Sequence, residues 1–170
     1  MPNTTNQSIR PLSCRTNEVG HLEIGGCDTV ELANKYGTPL YVMDEFTLRS
    51  ICRDYKKAFS SYKKVNMMYA SKALCSVGTS AIIAQEGFGF DVVSAGEIYT
   101  VFKSGVDMQK VLFNGNNKTV RELKLALELN VGRISVDNFL ELGRLNELAK
   151  EQNKVANILL RITPGIECHT

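Results

Sequence analysis

The order of apolar runs along the chain restricts its fold more than any other feature. Strand-like runs begin near Leu40, Val65, Phe88, Lys110, Arg133 and Val155, each followed by a helix-like pattern. Their spacing is about 22 to 25 residues, the length of one strand–helix unit. Leu48, Ile51, Cys52, Tyr55 and Phe59 recur at helical spacing, as do Leu142, Leu145, Leu148 and Ala149. "TVRE", Thr119 to Glu122, has the form of a capping box that opens a helix over 120–130. "VLFN", "RISV" and "NILLRI" are short and rich in large or β-branched apolar residues, as strands buried on both faces should be. Alternating β and α with short connections predicts a parallel α/β sheet.

Two architectures satisfy that pattern, a doubly wound sheet and part of a (β/α)8 barrel, and unit counting does not separate them. A complete barrel needs at least roughly 200 residues, and this chain has 170. The last strand-like run, "VANILLRITPG", is followed only by "IECHT". That ending predicts a fragment of a longer protein.

Composition excludes several function classes. With 44% hydrophobic and 22% charged residues, the chain can bury a core. A net charge of +2, spread along the sequence, gives no basis for nucleic-acid binding. No apolar run approaches the roughly 20 residues that span a bilayer, and "MPNTTNQSIRPLS" lacks the apolar stretch of a secretory signal. Five cysteines, at 14, 27, 52, 75 and 168, form no CxxC and suit reduced thiols in a cytoplasmic protein. His21 and His169 are far apart with no cluster of ligands beside either, so no metal site is expected.

In any parallel α/β sheet, ligands bind at the carboxyl ends of the strands. The residues expected there form a polar row: Lys72, Asp91 with Ser94, Asn114, Asp137 and Arg161. Helix capping accounts for part of it. "SAGE", Ser94 to Glu97, fits a capping box, Asp137 and Asn138 suit a cap, and "NGNNK" is a turn. Lys72 follows the run Met67–Ala70 and sits among Ala70, Ser71 and Ala73. A lysine there is either a snorkelling surface residue or a Schiff-base amine, whose nucleophilic form is favoured by partial burial and nearby cations. Asp91 and Arg161 are the candidate partners, facing each other across the mouth.

Six stretches together resemble the amino-terminal half of the diaminopimelate decarboxylase family. They are "GGCDTVELANKYGTPLYVMDE", "MYASKA", "GFGFDVVSAGEIYT", "FNGNNK", "NVGRISVDN" and "LLRITPGIECHT". That family lies within the alanine-racemase-like, fold type III group of pyridoxal-phosphate enzymes. The resemblance runs from about residue 20 to the end of the chain. It implies a partial (β/α)8 TIM barrel over residues 45–170, holding five of eight units. Residues 1–44 would pair with a carboxy-terminal β-domain, most of which lies outside this sequence.

The resemblance also implies roles for individual residues. Lys72 matches the lysine that holds pyridoxal 5'-phosphate covalently, and Asp91 the aspartate beside it. Ser94 and Glu97 match residues near the cofactor, and Arg161 an arginine close to it on a later strand. Asn114 stands where many relatives have histidine and is assigned no catalytic role. The implied activity is decarboxylation of meso-2,6-diaminopimelate to L-lysine and CO2 in lysine biosynthesis, by a homodimer when full length. Another fold type III decarboxylase or racemase, or a non-catalytic relative that binds the cofactor, is the alternative. The family's ring-stacking histidine, phosphate loop, "EPGR"-type segment and substrate-reading residues would lie past Thr170, so this segment alone is expected to be inactive.

Overall fold

The computed structural model describes residues 9–162 and 164–165. The first residues of the polar amino terminus and the closing "IECHT", with Cys168 and His169, lie outside them. The chain divides into two compact units, Met1–Lys63 and Lys64–Thr170.

In the first unit, strands β1 (Arg15–Thr16), β2 (Leu22–Ile24) and β3 (Cys27–Asp28) form a small antiparallel sheet in that order. Gly25 and Gly26, at φ +60° and +79°, turn β2 into β3. Two successive positive φ values are what a tight hairpin turn of matching twist demands. Helix α1 (Thr29–Tyr36) is capped by Asp28, whose Oδ1 accepts from the Val30 and Glu31 amides at 2.8 and 3.3 Å. Helix α2 (Glu45–Ala58) carries the apolar spacing read at Leu48 to Phe59. The run at Leu40 forms no strand, and Leu40 to Met43 are exposed. Extended backbone becomes a strand only beside a partner, and among the described residues none pairs with this segment.

The second unit holds five parallel strands: β4 (Met68–Ala70), β5 (Gly89–Val92), β6 (Val111–Phe113), β7 (Arg133–Val136) and β8 (Ile158–Leu160). Helices α3 (Val77–Gln85), α4 (Ala95–Lys103), α5 (Val120–Glu128) and α6 (Phe139–Glu151) connect them in turn. Each strand lies beside its sequence neighbour, in the order β4-β5-β6-β7-β8. A doubly wound sheet reverses its strand order partway. An unbroken sequence of neighbours is instead the arc of a (β/α)8 barrel.

The pleat sorts residues onto two faces. Register places Phe90 beside Val111, Val92 beside Phe113 and Phe113 beside Ile134, and all five are at most 1% exposed. Burying each such side chain contributes on the order of 2 kcal/mol. The other face carries Ala70, Asp91, Leu112 and Arg133 in one line of register. Of these Asp91 and Leu112 are half-buried and Ala70 and Arg133 exposed. The sequence had suggested burial on both faces. The five-strand arc leaves the second face open because it would be the interior of a barrel this chain does not close.

Two glycines set strand spacing. A Cβ on Gly132 would collide with the carbonyl group of Gln109, lying 2.6 Å from its carbon and 2.9 Å from its Cα. One on Gly89 would collide with the carbonyl oxygen of Lys110.

The capping box read in "TVRE" is present at α5. Thr119 Oγ1 accepts from Glu122 N at 3.3 Å, and Glu122 Oε2 accepts from Thr119 N at 2.9 Å. Glu122 Oε1 also accepts from Ala95 N at 3.1 Å, tying α5 to the start of α4. Burial works to raise the Glu122 pKa, but the Thr119 and Ala95 hydrogen bonds and the Lys118 charge outweigh it and lower the value. Thr119→Ala is therefore expected to cost about 1 kcal/mol, measured as a lower urea midpoint. The stability that ionised Glu122 provides is present above the unfolded carboxyl's pKa of 4.5 and disappears as acid carries pH through the lower folded value.

Candidate active site at the carboxyl ends of the parallel strands

β4 ends at Ala70, and Ser71–Ala73 form a single 3-10 turn before α3. Tyr69 Oη donates to Leu74 O at 3.0 Å, so the strand's own side chain fastens the far end of that turn. Ser71 is buried at 1% exposure, whereas Lys72 is exposed. The turn is thus anchored on one residue and presents an amine on the next.

Asp91 follows on the adjacent strand, in register with Ala70. Its Oδ1 is buried without a hydrogen-bond partner. Burial pushes the Asp91 carboxyl pKa up, and a hydrogen bond with the Asn114 side chain and the positive charge of Lys72 only partly restore the ionised form. With the folded pKa above the unfolded one, Asp91's contribution is greatest below pH 3.8 and is lost as pH rises through the folded value. Asp91→Asn should therefore raise Tm at pH 7, with the gain vanishing at acid pH. An equal gain at both pH values would contradict this account.

The structure separates the remaining candidates. Ser94 Oγ accepts from Glu97 N at 3.3 Å and caps α4, as its sequence suggested. Glu97 Oε2 accepts from Val93 N at 2.7 Å, one residue earlier than an ideal capping box. Asn138, not Asp137, caps α6, accepting from Glu141 N at 2.9 Å. Asp137 is left to pair with Arg161, Nη1 to Oδ1 at 3.2 Å. Arg161 therefore engages the strand beside its own rather than Asp91. Arg161 also borders a hollow of about 280 Å³ with Asp137, Phe139 and Leu142. Cys75, close to the Lys72 turn, is no thiolate: burial and the Glu97 charge raise its pKa, against hydroxyls of Ser80, Thr100 and Ser71.

Asn114, which the sequence places in the polar row without a catalytic role, is held at the end of β6. Its backbone N donates to Val92 O at 2.8 Å, and its Oδ1 accepts from Gly115 N at 3.0 Å. Lys118, read as part of a turn, is a buried ammonium. Its Nζ donates to Gly115 O and Ser135 O at 2.6 Å each and sits 5.6 Å from the Phe113 ring centre. It also lies 2.9 Å from Glu141 Oε1, an ion pair rather than an aligned hydrogen bond.

Three groups at the carboxyl ends of the strands have chemistry to offer. A reachable amine supplies a nucleophile, the unpartnered Asp91 oxygen an acceptor, and the half-exposed Arg161 a cation.

Residues 47–170 match the family described as "Pyridoxal-dependent decarboxylase, pyridoxal binding domain". The chain is 50% identical over 157 residues to a diaminopimelate decarboxylase from Bacillus methanolicus, covering 92% of this chain and 36% of that protein. Among solved structures it resembles diaminopimelate decarboxylase from M. jannaschii, with a TM-score of 0.83 and 38% identity over 91% of this chain and 37% of that one. The same enzyme in co-complex with L-lysine superposes with a TM-score of 0.80 and 36% identity, over 92% and 37% of the two chains. The chain spans a little over a third of the length of these relatives.

Proposed function

The chain belongs to the pyridoxal-dependent decarboxylase family, and from that premise we propose that it is the amino-terminal part of a diaminopimelate decarboxylase. The whole protein would convert meso-2,6-diaminopimelate to L-lysine and CO2, as a cytoplasmic homodimer. Residues 45–170 would form the first five units of its barrel, and residues 1–44 would belong with a β-domain. The observation that carries the reading is one amine, Lys72, at the end of β4, with its charge felt by Asp91 at the end of β5. The L-lysine bound in the M. jannaschii enzyme, the product named here, supports the choice of substrate.

Pyridoxal phosphate, when bound, supplies an electron sink for the pair left behind when the bond to the carboxylate breaks. This chain's residues serve that chemistry by holding and orienting. Lys72 Nζ would hold the cofactor at its aldehyde. Lys72, with Asp91 on the next strand, would also be placed to hold a proton. Asp91, kept partly out of water, offers an acceptor to a protonated group on the cofactor. Arg161, oriented by Asp137, offers positive charge at the mouth. Ser94 and Glu97 keep α4 aimed at the site through their caps.

Incubating the full-length protein with meso-diaminopimelate and pyridoxal phosphate should release equimolar CO2 and L-lysine. Racemised amino acid without CO2 would place the protein with the racemases of this fold. A bound cofactor without turnover of any amino acid would make it a non-catalytic relative.

A further inference from the structure

The proposed chemistry leaves Lys118 unused, although its side chain is only 1% exposed. A buried ammonium is costly unless it is paired, and this one has three partners, two hydrogen-bond acceptors and one ion-pair carboxylate. Two of them are main-chain carbonyls on neighbouring stretches of the sheet's carboxyl rim. Gly115 follows Asn114 directly, at φ +111°. Ser135 lies in β7, two residues before Asp137. The third is Glu141, in the first turn of α6.

We infer that Lys118 is a positioning residue: by joining Gly115 O to Ser135 O it fixes the loop after β6 so that Asn114 stays at the end of β5, one residue past Asp91. The linkage can be followed atom by atom. Lys118 Nζ holds Gly115 at its carbonyl, and the Gly115 N–H holds Asn114 Oδ1 at 3.0 Å. Asn114 N in turn donates to Val92 O at 2.8 Å, which holds the residue beside the end of β5, next to the position of Asp91. Stability alone does not require this arrangement, because a buried ion pair is often replaceable by apolar residues of similar volume without loss. What an apolar pair cannot supply is the bond between the two carbonyls. The inference rests on the decarboxylase reading only for what Asp91 does, not for how it is held.

The double variant Lys118→Met/Glu141→Leu, made in the full-length protein, removes both charges and keeps the volume. Its Tm should fall, because Gly115 O and Ser135 O lose their donor, but kcat of the folded protein should also fall roughly ten- to a hundredfold, the effect of a small misplacement at a reacting centre, with KM little changed. Asn114→Ala should produce the same loss, and combining the two should add almost nothing. Wild-type kcat in the double variant, or losses that multiply, would overturn the inference. One measurement needs neither variant nor cofactor. In the wild-type protein the Gly115 amide should exchange with solvent at least about tenfold more slowly than an open-loop amide. Fast exchange there refutes the brace even if the variants fail to fold. Absence of cofactor on Lys72 would defeat the decarboxylase reading, yet the exchange rate would still decide the role of Lys118.

Discussion

Lys72→Ala in the full-length protein is expected to abolish covalent attachment of pyridoxal phosphate and to lower decarboxylation by at least about a thousandfold. The expectation comes from position. Lys72 is exposed at the end of β4, so its truncation opens no cavity, and the core strands beneath it keep their packing. Tm should therefore stay within about 2 °C of wild type, which separates lost chemistry from lost fold. Borohydride reduction of the wild-type protein with pyridoxal phosphate, then peptide mass spectrometry, should place the label on Lys72. Lys118 provides an internal control. It is buried, donates to two carbonyls and is paired with Glu141, so it should carry none. Label on any other lysine, or full activity in the variant, would remove the basis of the proposed function.

Gly132→Ala carries the largest expected effect on folding. A Cβ there meets the main chain of Gln109 well inside contact distance. Backbone on one side and backbone on the other leave no flexible side chain to yield. Gly132 N donates to Met108 O at 2.8 Å, so moving the strand away breaks a bond as well as relieving the clash. The cost should be about 3 kcal/mol or more, seen as a strongly reduced denaturant midpoint or failure to fold. Gly143→Ala makes the matching control. Gly143 lies inside α6 with no atom within 4 Å of a Cβ, and alanine there should stabilise by about 0.5–1 kcal/mol. Equal effects at the two glycines would show that the close approach at Gly132 is unimportant.

Much of the second unit could be read from the sequence because its signals are local. Runs beginning near Phe88, Lys110 and Arg133 became strands starting at Gly89, Val111 and Arg133, since turn residues and apolar clusters sit next to each other in the chain. The cap of α5 was legible for the same reason: Thr119 and Glu122 satisfy each other within one turn. Legibility failed where a residue's partner lies far away in sequence. Leu40 to Met43 have strand composition, but composition does not provide a neighbour. Asp137 and Asn138 are adjacent and chemically alike, and only the arrival of Arg161 from β8 decides which of them caps the helix. Lys118 is the extreme case. It looks like a turn residue because its partners come from its own loop, from β7 and from α6. The choice between a reversing sheet and a barrel arc was closed to counting, because both use the same unit and differ only in who stands beside whom.

That unbroken succession of neighbours bears on how the protein is made. Lys72 directly follows β4 and Asp91 lies in β5, its neighbour, one crossover apart. As the chain leaves the ribosome, both can be in place while later strands are still unsynthesised, because the loop that must close between them is short.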